Sequence, residues 1–600
     1  MRVAEYIARR LARETDTVFI LAGGGAMFLN DAFSWCEGLT PVFCHHEQTC
    51  AMAAEAYSRF GGKLGLVNVT TGPGGINAIN GVFGAWTDSV PMIVISGQVK
   101  RATTLRATGQ LGKLRQLGDQ EADIISMVGS ITKKATFVSE AREVPFVIEE
   151  AIQLARDGRP GPVWIDIPID IQSADLGENR YFFGSRKITT PNFTGLNDAA
   201  TCVLELVQRS RRPLFLIGSG VRASGALEVL KSVSRALRIP ISTAWTAVDA
   251  MDYGDELFAE RPGAVGTRAG NFIAQKADLL IIIGTRLPIR QVSYNFENFG
   301  KNAVKVCVDI EYEELTKPLT EIDFLIHADA KHFLDTMDNI SRTMADMPST
   351  EKWIANIKKI RHEFPPIEES IRERGHGESL NPYLFIEDLW SRLNRDDVVA
   401  CADASASVIP LQVAQIQLGQ RLFTNAGAAS MGYDLPAAIG AALANPDKRI
   451  VCLAGDGSIM LNIQDLETIK RYALNIKIIL LNNSGYLSIK LSQQGFFKRE
   501  KGSGPNSGLN FPDFKKVAES NEISYCRIQR IEDYEIMDRA LKVVGPTLIE
   551  AIIDPMQSFE PKLGSFVRAD GKIESNSLEN MSPLIGELRL SQIMKDHDDN

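Results

Sequence analysis

Short apolar runs alternate with amphipathic helical stretches along almost the whole chain. Segments of strand length that are rich in Val, Ile and Leu lie at 18–23, 64–70, 92–97, 163–168, 214–220, 279–286, 305–310, 449–455, 476–483 and 547–553. Strands that are apolar on both faces and separated by helices are typical of parallel sheets covered by helices on both sides. The pattern therefore predicts an α/β protein built from doubly wound parallel sheets.

Two stretches interrupt this alternation and suggest domain boundaries. A polar, charged segment precedes a fresh helix–strand cycle near residue 190, and a charged helical segment without strand signals covers 345–378. A chain of 600 residues is also too long for one hydrophobic core, because cores stop growing near roughly 250–300 residues. We therefore expect three domains, at 1–175, 190–340 and 375–560, and a polar C-terminal tail without strand patterning, at 561–600.

Composition narrows the class of protein. The chain is 44% hydrophobic and 23% charged, as in ordinary globular proteins, and its net charge of −9 offers no basic surface for nucleic acid. Eight cysteines without a CxxC pair indicate neither a disulfide framework nor a thiolate zinc site. The apolar runs are shorter than the ~18 residues that cross a bilayer. We expect a cytoplasmic protein with no nucleic-acid or membrane partner.

The motifs GDG (455–457) and NN (482–483) end two consecutive predicted strands. Since carboxyl ends of parallel strands meet at one edge of a sheet, Asp456 and Asn483 are expected to converge, with a helix starting near Asn462. One carboxylate and one amide oxygen, completed by a backbone carbonyl, water and diphosphate oxygens, suit Mg²⁺. Each motif alone is explained by a tight βα turn or a strand-terminal cap. The pair at this spacing predicts a diphosphate and magnesium site.

This arrangement resembles the cofactor motif of thiamine diphosphate enzymes, and the likeness extends over most of the chain to the acetolactate synthase-like branch. HHEQ (45–48) and TGPGGIN (71–77) are similar to the pyrimidine-binding domain of that family, and NAGAASMGYD (425–434) to the segment that bends the cofactor. The resemblance implies thiamine diphosphate and Mg²⁺ as cofactors. The cofactor-binding residues that it implies are Glu47, Gly72, Asn77, Ala429, Met431, Gly455, Asp456, Gly457, Ser458, Asn483 and Gly485. The implied metal ligands are Asp456, Asn483 and the carbonyl of Gly485.

The resemblance also assigns roles to single groups. In the family, the carboxyl that corresponds to Glu47 meets N1′ of the aminopyrimidine, where a buried acid favours the tautomer that removes the cofactor's C2 proton. The N–H of Met431 would meet N3′, and the carbonyl of Ala429 would accept from the 4′-amino group. From residue type alone, Glu47 also suits a helix N-terminus and Met431 a gap in a core.

The same resemblance indicates two further catalytic candidates, His46 and Gln120. His46 is placed to assist proton transfer, whereas the neighbouring His45 is expected to finish a strand. The segment GKLRQLGDQEADI (112–124) resembles a subgroup that adds a two-carbon unit to a keto sugar, so that Arg115, Gln116 and Gln120 would face substrate. An ordinary surface loop with salt bridges is the alternative for this segment.

The central domain corresponds to one that binds FAD in acetolactate synthase-like proteins. Gly218, Gly220, Arg286 and Asp309 lie at or near the carboxyl ends of the apolar runs of this domain and are the candidate FAD contacts. A nucleotide-binding fold with an empty cleft is the alternative. The resemblance also implies that Glu47 of one chain and Asp456 of another complete each site, so we expect a homodimer or homotetramer.

Some positions depart from the synthase pattern. Ser488 and Ser492 stand where acetolactate synthases have Met and Trp, Ile169 precedes Asp170 in place of Lys, and Asp119 stands in place of an aromatic. A wider and more polar pocket favours a larger, hydroxylated acceptor.

The predicted function is decarboxylation of a 2-oxo acid, with pyruvate as the expected donor, followed by carboligation to a carbonyl acceptor. The departures above favour a polar compound or a keto sugar as this acceptor. Acetolactate synthase proper, of branched-chain amino acid biosynthesis, and a simple 2-oxo acid decarboxylase are the enzymatic alternatives. A non-catalytic cofactor-binding homologue is the alternative of a different class. The presence of Glu47, Asp456 and Asn483 together argues against this last alternative.

Overall fold

The computed structural model describes residues 1–177, 193–344, 349–402, 405–568 and 570–595. These residues form three main sheets with parallel strand pairing, each accompanied by helices, which confirms the predicted α/β class with three doubly wound domains. The boundary predicted near residue 190 lies outside the described residues. The chain divides into two compact units, one of Met1–Pro191, Asp396–Ala406 and Thr424–Ile552, the other of Asn192–Arg395, Ser407–Phe423 and Ile553–Asn600.

The first sheet belongs to the N-terminal part of the first unit. Its strands lie in the order β2-β1-β3-β4-β6-β5. The strands are β1 (Thr17–Ile20), β2 (Thr40–Phe43), β3 (Gly65–Val69), β4 (Met92–Gln98), β5 (Lys134–Phe137) and β6 (Pro162–Pro168). The helices are α1 (Val3–Leu11), α2 (Met27–Ser34), α3 (Glu47–Gly61), α4 (Pro73–Asp88), α5 (Ile124–Val128), α6 (Val144–Arg156) and α7 (Ile169–Gln172).

The central sheet belongs to the second unit and has the strand order β11-β10-β9-β7-β8. Its strands are β7 (Pro213–Ile217), β8 (Ile241–Thr243), β9 (Leu279–Ile283), β10 (Val304–Asp309) and β11 (Phe324–His327). The helices of this part are α8 (Leu196–Arg209), α9 (Ser219–Ala223), α10 (Leu227–Leu237), α11 (Arg268–Lys276), α12 (Ile289–Val292), α13 (Tyr312–Leu315), α14 (Ala330–Ser341), α15 (Glu351–Glu363), α16 (Glu369–Arg374) and α17 (Pro382–Ser391).

The third sheet has the strand order β13-β12-β14-β15-β17-β16. Its strands are β12 (Val398–Cys401), β13 (Arg421–Phe423), β14 (Ile450–Gly455), β15 (Ile476–Asn482), β16 (Ser524–Ile528) and β17 (Thr547–Ile552). The helices are α18 (Ser405–Val413), α19 (Asp434–Ala444), α20 (Asp456–Ile459), α21 (Leu466–Arg471), α22 (Leu487–Phe497), α23 (Phe514–Ser520) and α24 (Tyr534–Lys542).

The C-terminal tail corrects one expectation. It contains the short strands β18 (Lys562–Leu563), β19 (Ser565–Val567), β20 (Ile573–Ser575) and β21 (Met581–Ser582), then α25 (Glu587–Lys595), so the absence of strands expected there is wrong. Leu578 and Met581 are buried, and Asn271 on α11 donates to the Leu578 carbonyl at 2.9 Å. The tail therefore packs within the second unit, where a few buried apolar residues anchor a segment that is polar overall.

A second correction concerns the turn after β14. The helix expected from about Asn462 begins earlier, because Gly455 is extended and α20 starts directly at Asp456. Asn462 instead precedes a 3₁₀ turn, Ile463–Asp465, that leads into α21. No helix in the described parts of the chain is long and apolar enough to cross a membrane.

Helix α3 is the buried centre of the first unit. It is lined by small residues, and α4 and α19 approach it at glycines. A Cβ on Gly81 of α4 would lie 2.5 Å from the Cβ of Ala51, and one on Gly440 of α19 would lie 2.1 Å from the carbonyl oxygen of Ala53. Because both distances are shorter than van der Waals contact, the backbones pack together only without a side chain at these positions.

Gly440→Ala is expected to destabilise this packing by about 1–3 kcal/mol, since overpacking a close helix contact forces the backbones apart. Gly495→Ala in α22 is the matched control, because its Cβ would meet nothing within 4 Å. The control is expected to gain about 0.5–1 kcal/mol from the lost flexibility of glycine in the unfolded chain. Urea titration of both variants checks this, and equal stability of the two would contradict the packing argument.

Candidate cofactor and metal site

The turn after β14 and the loop after β15 meet at one buried carboxylate. Asp456 is 2% exposed, and its Oδ1 accepts from the N–H of Gly457 at 2.8 Å while its Oδ2 accepts from the N–H of Gly485 at 2.9 Å. β14 and β15 are parallel neighbours, so their carboxyl ends lie at the same edge. Burial raises the pKa of Asp456 to about 7, because the charged form is poorly solvated there.

The two asparagines of the NN motif have different environments. Asn482 donates through Nδ2 to Glu550 Oε1 at 2.7 Å and accepts through Oδ1 from the N–H of Ser484 at 3.0 Å. The Oδ1 of Asn483 is buried and has no hydrogen-bond partner among the described residues. An unpartnered buried oxygen costs about 1–3 kcal/mol unless a ligand satisfies it. Asn483 is therefore the asparagine that is available to a cation.

Two glycines allow neighbouring groups to pack closely at this edge. A Cβ on Gly457 would lie 1.9 Å from the ring of Tyr486, and one on Gly485 would lie 2.2 Å from the carbonyl oxygen of Ser503. Only hydrogen fits at either position, so the Tyr486 ring and the Ser503 carbonyl pack directly against the backbone at this edge. In the described parts of the chain, no three His, Cys, Asp or Glu side chains lie together as metal ligands. The carboxylate, amide and backbone oxygens at this edge fit Mg²⁺ shared with a diphosphate.

Glu47 lies at the first residue of α3. It is 7% exposed, and its Oε2 accepts from Asn77 Nδ2 on α4 at 3.0 Å. A Cβ on Gly74 would stand 3.4 Å from Glu47 Oε1, so the first turn of α4 lies directly against the carboxyl. The structure thus brings together two of the predicted residues, Glu47 and Asn77.

His46 caps the same helix. Its Nδ1 accepts from the N–H of Gln48 at 2.9 Å, so the ring satisfies one of the free N–H groups at the start of α3. In this hydrogen bond Nδ1 is the acceptor, so His46 is also the N-cap of α3. His45 is exposed and donates its backbone N–H to Asp465.

Gly72 and Gln120 lie against each other. Gly72 has φ +60°, and a Cβ there would stand 2.0 Å from the carbonyl oxygen of Gln120, which itself has φ +59°. The loop around Gln120 is organised by buried Glu121, whose carboxylate accepts from the N–H groups of Leu117 and Gly118 at 3.1 and 3.0 Å. Sequence reasoning missed Glu121, because nothing in the pattern distinguishes it from the other charged residues of this loop.

The other predicted residues of this loop lie on its surface. Arg115 and Gln116 are exposed, and Gln116 donates through Nε2 to the carbonyl of Glu121 at 3.0 Å.

The segment that carries Met431 is held from two sides. Ser430 donates to Asn80 Oδ1 on α4 at 2.8 Å, and the N–H of Gly432 donates to Ser458 Oγ at 2.8 Å. Ala429 has φ +53°, a conformation rare for a residue with a side chain. The structure therefore places Ala429 and Met431 between α4 and the turn that follows β14.

The chain matches the family described as thiamine pyrophosphate enzyme over three segments. The N-terminal TPP binding domain matches residues 1–126, the central domain 200–337 and the C-terminal TPP binding domain 405–551. The chain belongs to the thiamine pyrophosphate enzymes.

Curated relatives of this thiamine pyrophosphate enzyme include acetolactate synthases. The acetolactate synthase isozyme 2 large subunit of Escherichia coli is 30% identical over 97% of this chain and 100% of its own length. The acetolactate synthase large subunit of Lactococcus lactis is 28% identical over 93% of each chain. Acetolactate synthase 2 of Nicotiana tabacum, a chloroplastic protein, is 29% identical over 94% of this chain and 83% of its own length. The prediction of a thiamine diphosphate-dependent, acetolactate synthase-like enzyme is confirmed.

In the central domain of this thiamine pyrophosphate enzyme, the four candidate FAD residues fall into two groups. Arg286 and Asp309 line one small cavity at the carboxyl ends of β9 and β10. A Cβ on Gly218 or Gly220 would instead stand 2.3 or 2.7 Å from Gly284. The two glycines therefore allow the loops after β7 and β9 to pack together.

Asn483→Ala tests metal binding separately from the stability of the fold. Without ligands, the variant is expected to be as stable as the wild type or more stable, because an unpartnered buried oxygen is removed. The increase in melting temperature that Mg²⁺ and thiamine diphosphate give the wild type is expected to disappear. Differential scanning fluorimetry with and without both ligands measures this.

Asn482→Ala is the contrasting variant. It is expected to lower stability without ligands, since it leaves Glu550 without its partner, and to keep the response to Mg²⁺. A full response to Mg²⁺ in Asn483→Ala would count against this residue as a metal ligand.

Proposed function

We propose that this enzyme decarboxylates a 2-oxo acid, with pyruvate as donor, and joins the remaining fragment to a carbonyl acceptor, using thiamine diphosphate and Mg²⁺. The observation that carries the proposal is the buried, unpartnered Oδ1 of Asn483 at the sheet edge where Asp456 lies. Such an oxygen has a physical reason to be there only if a cation or donor completes it. Family membership supports thiamine diphosphate as the molecule whose diphosphate shares that cation.

Different residues of the chain would bind the metal, the diphosphate and the pyrimidine. Asp456, Asn483 and the carbonyl of Gly485 would hold Mg²⁺, and Gly455, Gly457 and Ser458 would face the diphosphate. Glu47 would hold a proton at N1′ of the pyrimidine, with Asn77 orienting its carboxyl. Bound thiamine diphosphate supplies the electron sink for decarboxylation and the carbon nucleophile for ligation. Met431 and Ala429 would contact the pyrimidine through their backbones.

The acceptor is proposed to be polar, such as a keto sugar. Helix α22 begins two residues after Gly485, and Ser488 and Ser492 lie within it. Ser492 Oγ donates to the Ser488 carbonyl one turn before it at 2.8 Å. Both residues have small hydroxyl side chains, where the resemblance places Met and Trp in acetolactate synthases. Gln120, Arg115 and Gln116 are proposed to contact the acceptor from the other loop.

Acetolactate synthase proper is the second candidate. It is supported by the near full-length likeness to the Escherichia coli isozyme 2 large subunit. In that case pyruvate or another 2-oxo acid is the acceptor and branched-chain amino acid synthesis is the pathway.

A homodimer or homotetramer with shared active sites is proposed as the working form. Apolar side chains on α4, the helix that carries Asn77, support this arrangement: Ile76 is 43%, Phe83 39% and Trp86 37% exposed. A second chain would cover them beside the cofactor.

A flavin and a cytoplasmic location complete the proposal. Arg286 and Asp309 support FAD at the edge of the central sheet, because nucleotides bind outside the carboxyl ends of parallel strands. The visible spectrum of the purified protein tests this, and a spectrum without flavin bands would remove FAD. All eight cysteines are free, which supports a reducing compartment.

The purified enzyme with pyruvate is expected to release CO₂ and to form a ligated product only with the correct acceptor class. Wild-type protein, thiamine diphosphate and Mg²⁺ are incubated with pyruvate and separate aldehydes, keto sugars and 2-oxo acids, and product mass is recorded. Acetolactate as the sole product would favour the synthase candidate, and free aldehyde alone would favour a simple decarboxylase. No CO₂ release would overturn the proposed function.

Glu47→Gln is expected to keep cofactor affinity and lower kcat by about a hundredfold or more, because an amide cannot exchange the proton held at N1′. Glu37→Gln is the control, since it removes the same charge from an exposed residue of the same domain. Calorimetry measures binding and CO₂ release measures turnover. Retention of wild-type kcat in Glu47→Gln would remove Glu47 from its assigned role.

A further inference from the structure

A single buried turn contacts two segments that we assign to pyrimidine binding, which in the proposed homodimer serve two different active sites. It is the 3₁₀ turn Ile463–Asp465 with the preceding Asn462, and it follows α20 in the domain that carries Asp456. Thr49, Asn462 and Asp465 are each 0% exposed. Neither the predicted motifs nor the proposed cofactor contacts include these three residues.

Asp465 holds the backbone on both sides of Glu47. Its Oδ1 accepts from the N–H of His45 at 3.0 Å, and its Oδ2 accepts from the hydroxyl of Thr49 at 2.6 Å. Glu47 lies midway between these two residues, at the first position of α3. The same Oδ1 also accepts from Thr468 on α21 at 2.7 Å. Hydrogen bonds to a buried carboxylate are short and strong, so the turn at residues 45–49 has a fixed position.

Asn462 extends the contact to the second segment. Its Oδ1 accepts from the hydroxyl of Thr49 at 3.2 Å, and its Nδ2 donates to the carbonyl of Gly432 at 2.7 Å. Gly432 follows Met431, whose backbone we assign to the pyrimidine. Through the Asp465 carboxylate and the Asn462 amide, one turn therefore connects the backbone around Glu47 with the Met431 segment of the same chain.

We propose that Asp465, assisted by Asn462, is a positioning residue that sets the place of the Glu47 carboxyl relative to the pyrimidine. This inference rests on the proposed function of Glu47. The Asn77 contact orients the end of the Glu47 side chain, whereas Asp465 fixes the backbone from which that side chain extends. A displacement of about 1 Å at a reacting group costs roughly a hundredfold in rate, so the anchor matters although it touches no cofactor atom.

Asp465→Asn removes one of the two acceptor oxygens with little change in shape. The amide nitrogen can only donate, so either the His45 N–H or the Thr49 hydroxyl loses its acceptor. Thr49→Val removes the donor on the α3 side and serves if Asp465→Asn fails to fold. Thr468→Val is the matched control, since it removes the third hydrogen bond of Asp465 without touching the Glu47 turn.

The first measurement is amide hydrogen exchange of the cofactor-free protein, followed by mass spectrometry of the peptide that covers residues 43–50. Exchange in Asp465→Asn and Thr49→Val is expected to rise about tenfold, because the His45 amide and the first turn of α3 open more often. Thr468→Val is expected to stay at the wild-type rate. This readout does not depend on bound cofactor or on turnover.

The second measurement is deuterium exchange at C2 of bound thiamine diphosphate, together with kcat and KM for pyruvate. Asp465→Asn and Thr49→Val are each expected to slow C2 exchange and kcat by about tenfold to a hundredfold, with KM for pyruvate little changed. The double variant is expected to be no slower than the slower single variant, because both changes break the same contact.

Two results would overturn the proposal. One is C2 exchange and amide exchange at wild-type rates in both variants. The other is a loss in Thr468→Val as large as in Asp465→Asn, which would indicate only general damage to the fold. If the wild type itself shows no C2 exchange and no CO₂ release, the proposed function fails, whereas the amide exchange still reports on the anchor.

Discussion

The structure depends on oxygen atoms that are buried at the carboxyl ends of β14 and β15. Parallel pairing of these strands places Asp456 and the Asn483 side chain at one edge, where burial raises the pKa of Asp456 to about 7 and leaves the Asn483 oxygen without a partner. In a folded protein a buried oxygen normally has a hydrogen-bond partner or a ligand, and burying it without one is unfavourable. A hard cation at this edge would remove both costs, so the geometry is consistent with the diphosphate and metal site that we propose.

The N-terminal part of the first unit, which contains the first sheet and α3, fixes the position of the Glu47 carboxyl. Helix α3 lies between α4 and α19 at distances that only glycine and alanine permit. Glu47 is at its first residue, next to Asn77, and the turn before it is hydrogen-bonded to Asp465. Rigidity at this point comes from backbone packing and buried hydrogen bonds, so it does not depend on the long flexible side chains that cover the surface.

The strands that the hydrophobic pattern predicts are those in the interior of the sheets, and the strands that it misses lie mostly at the edges. All ten predicted runs correspond to interior strands, from β1 to β17, whose residues are buried on both faces. The edge strands β2, β5, β11 and β16 are partly exposed, and β8 and β13 have three residues each, so none of them shows a long apolar run. The interior strand β12 was also missed, because its four residues follow two aspartates and give too short a signal.

The sequence by itself determined the α/β class, the interior strands, the family and the chemical type of the proposed metal ligands, because these depend on residue type and spacing along the chain. Tertiary structure decided which asparagine of the NN pair remains available, since Glu550 on β17 engages Asn482. It also decided that His46 caps α3, that Gln120 faces Gly72, and that Asp465 anchors the Glu47 turn. Each of these is a contact between residues far apart in the chain or a local hydrogen bond chosen by packing, and no periodicity of hydrophobic residues encodes such a choice.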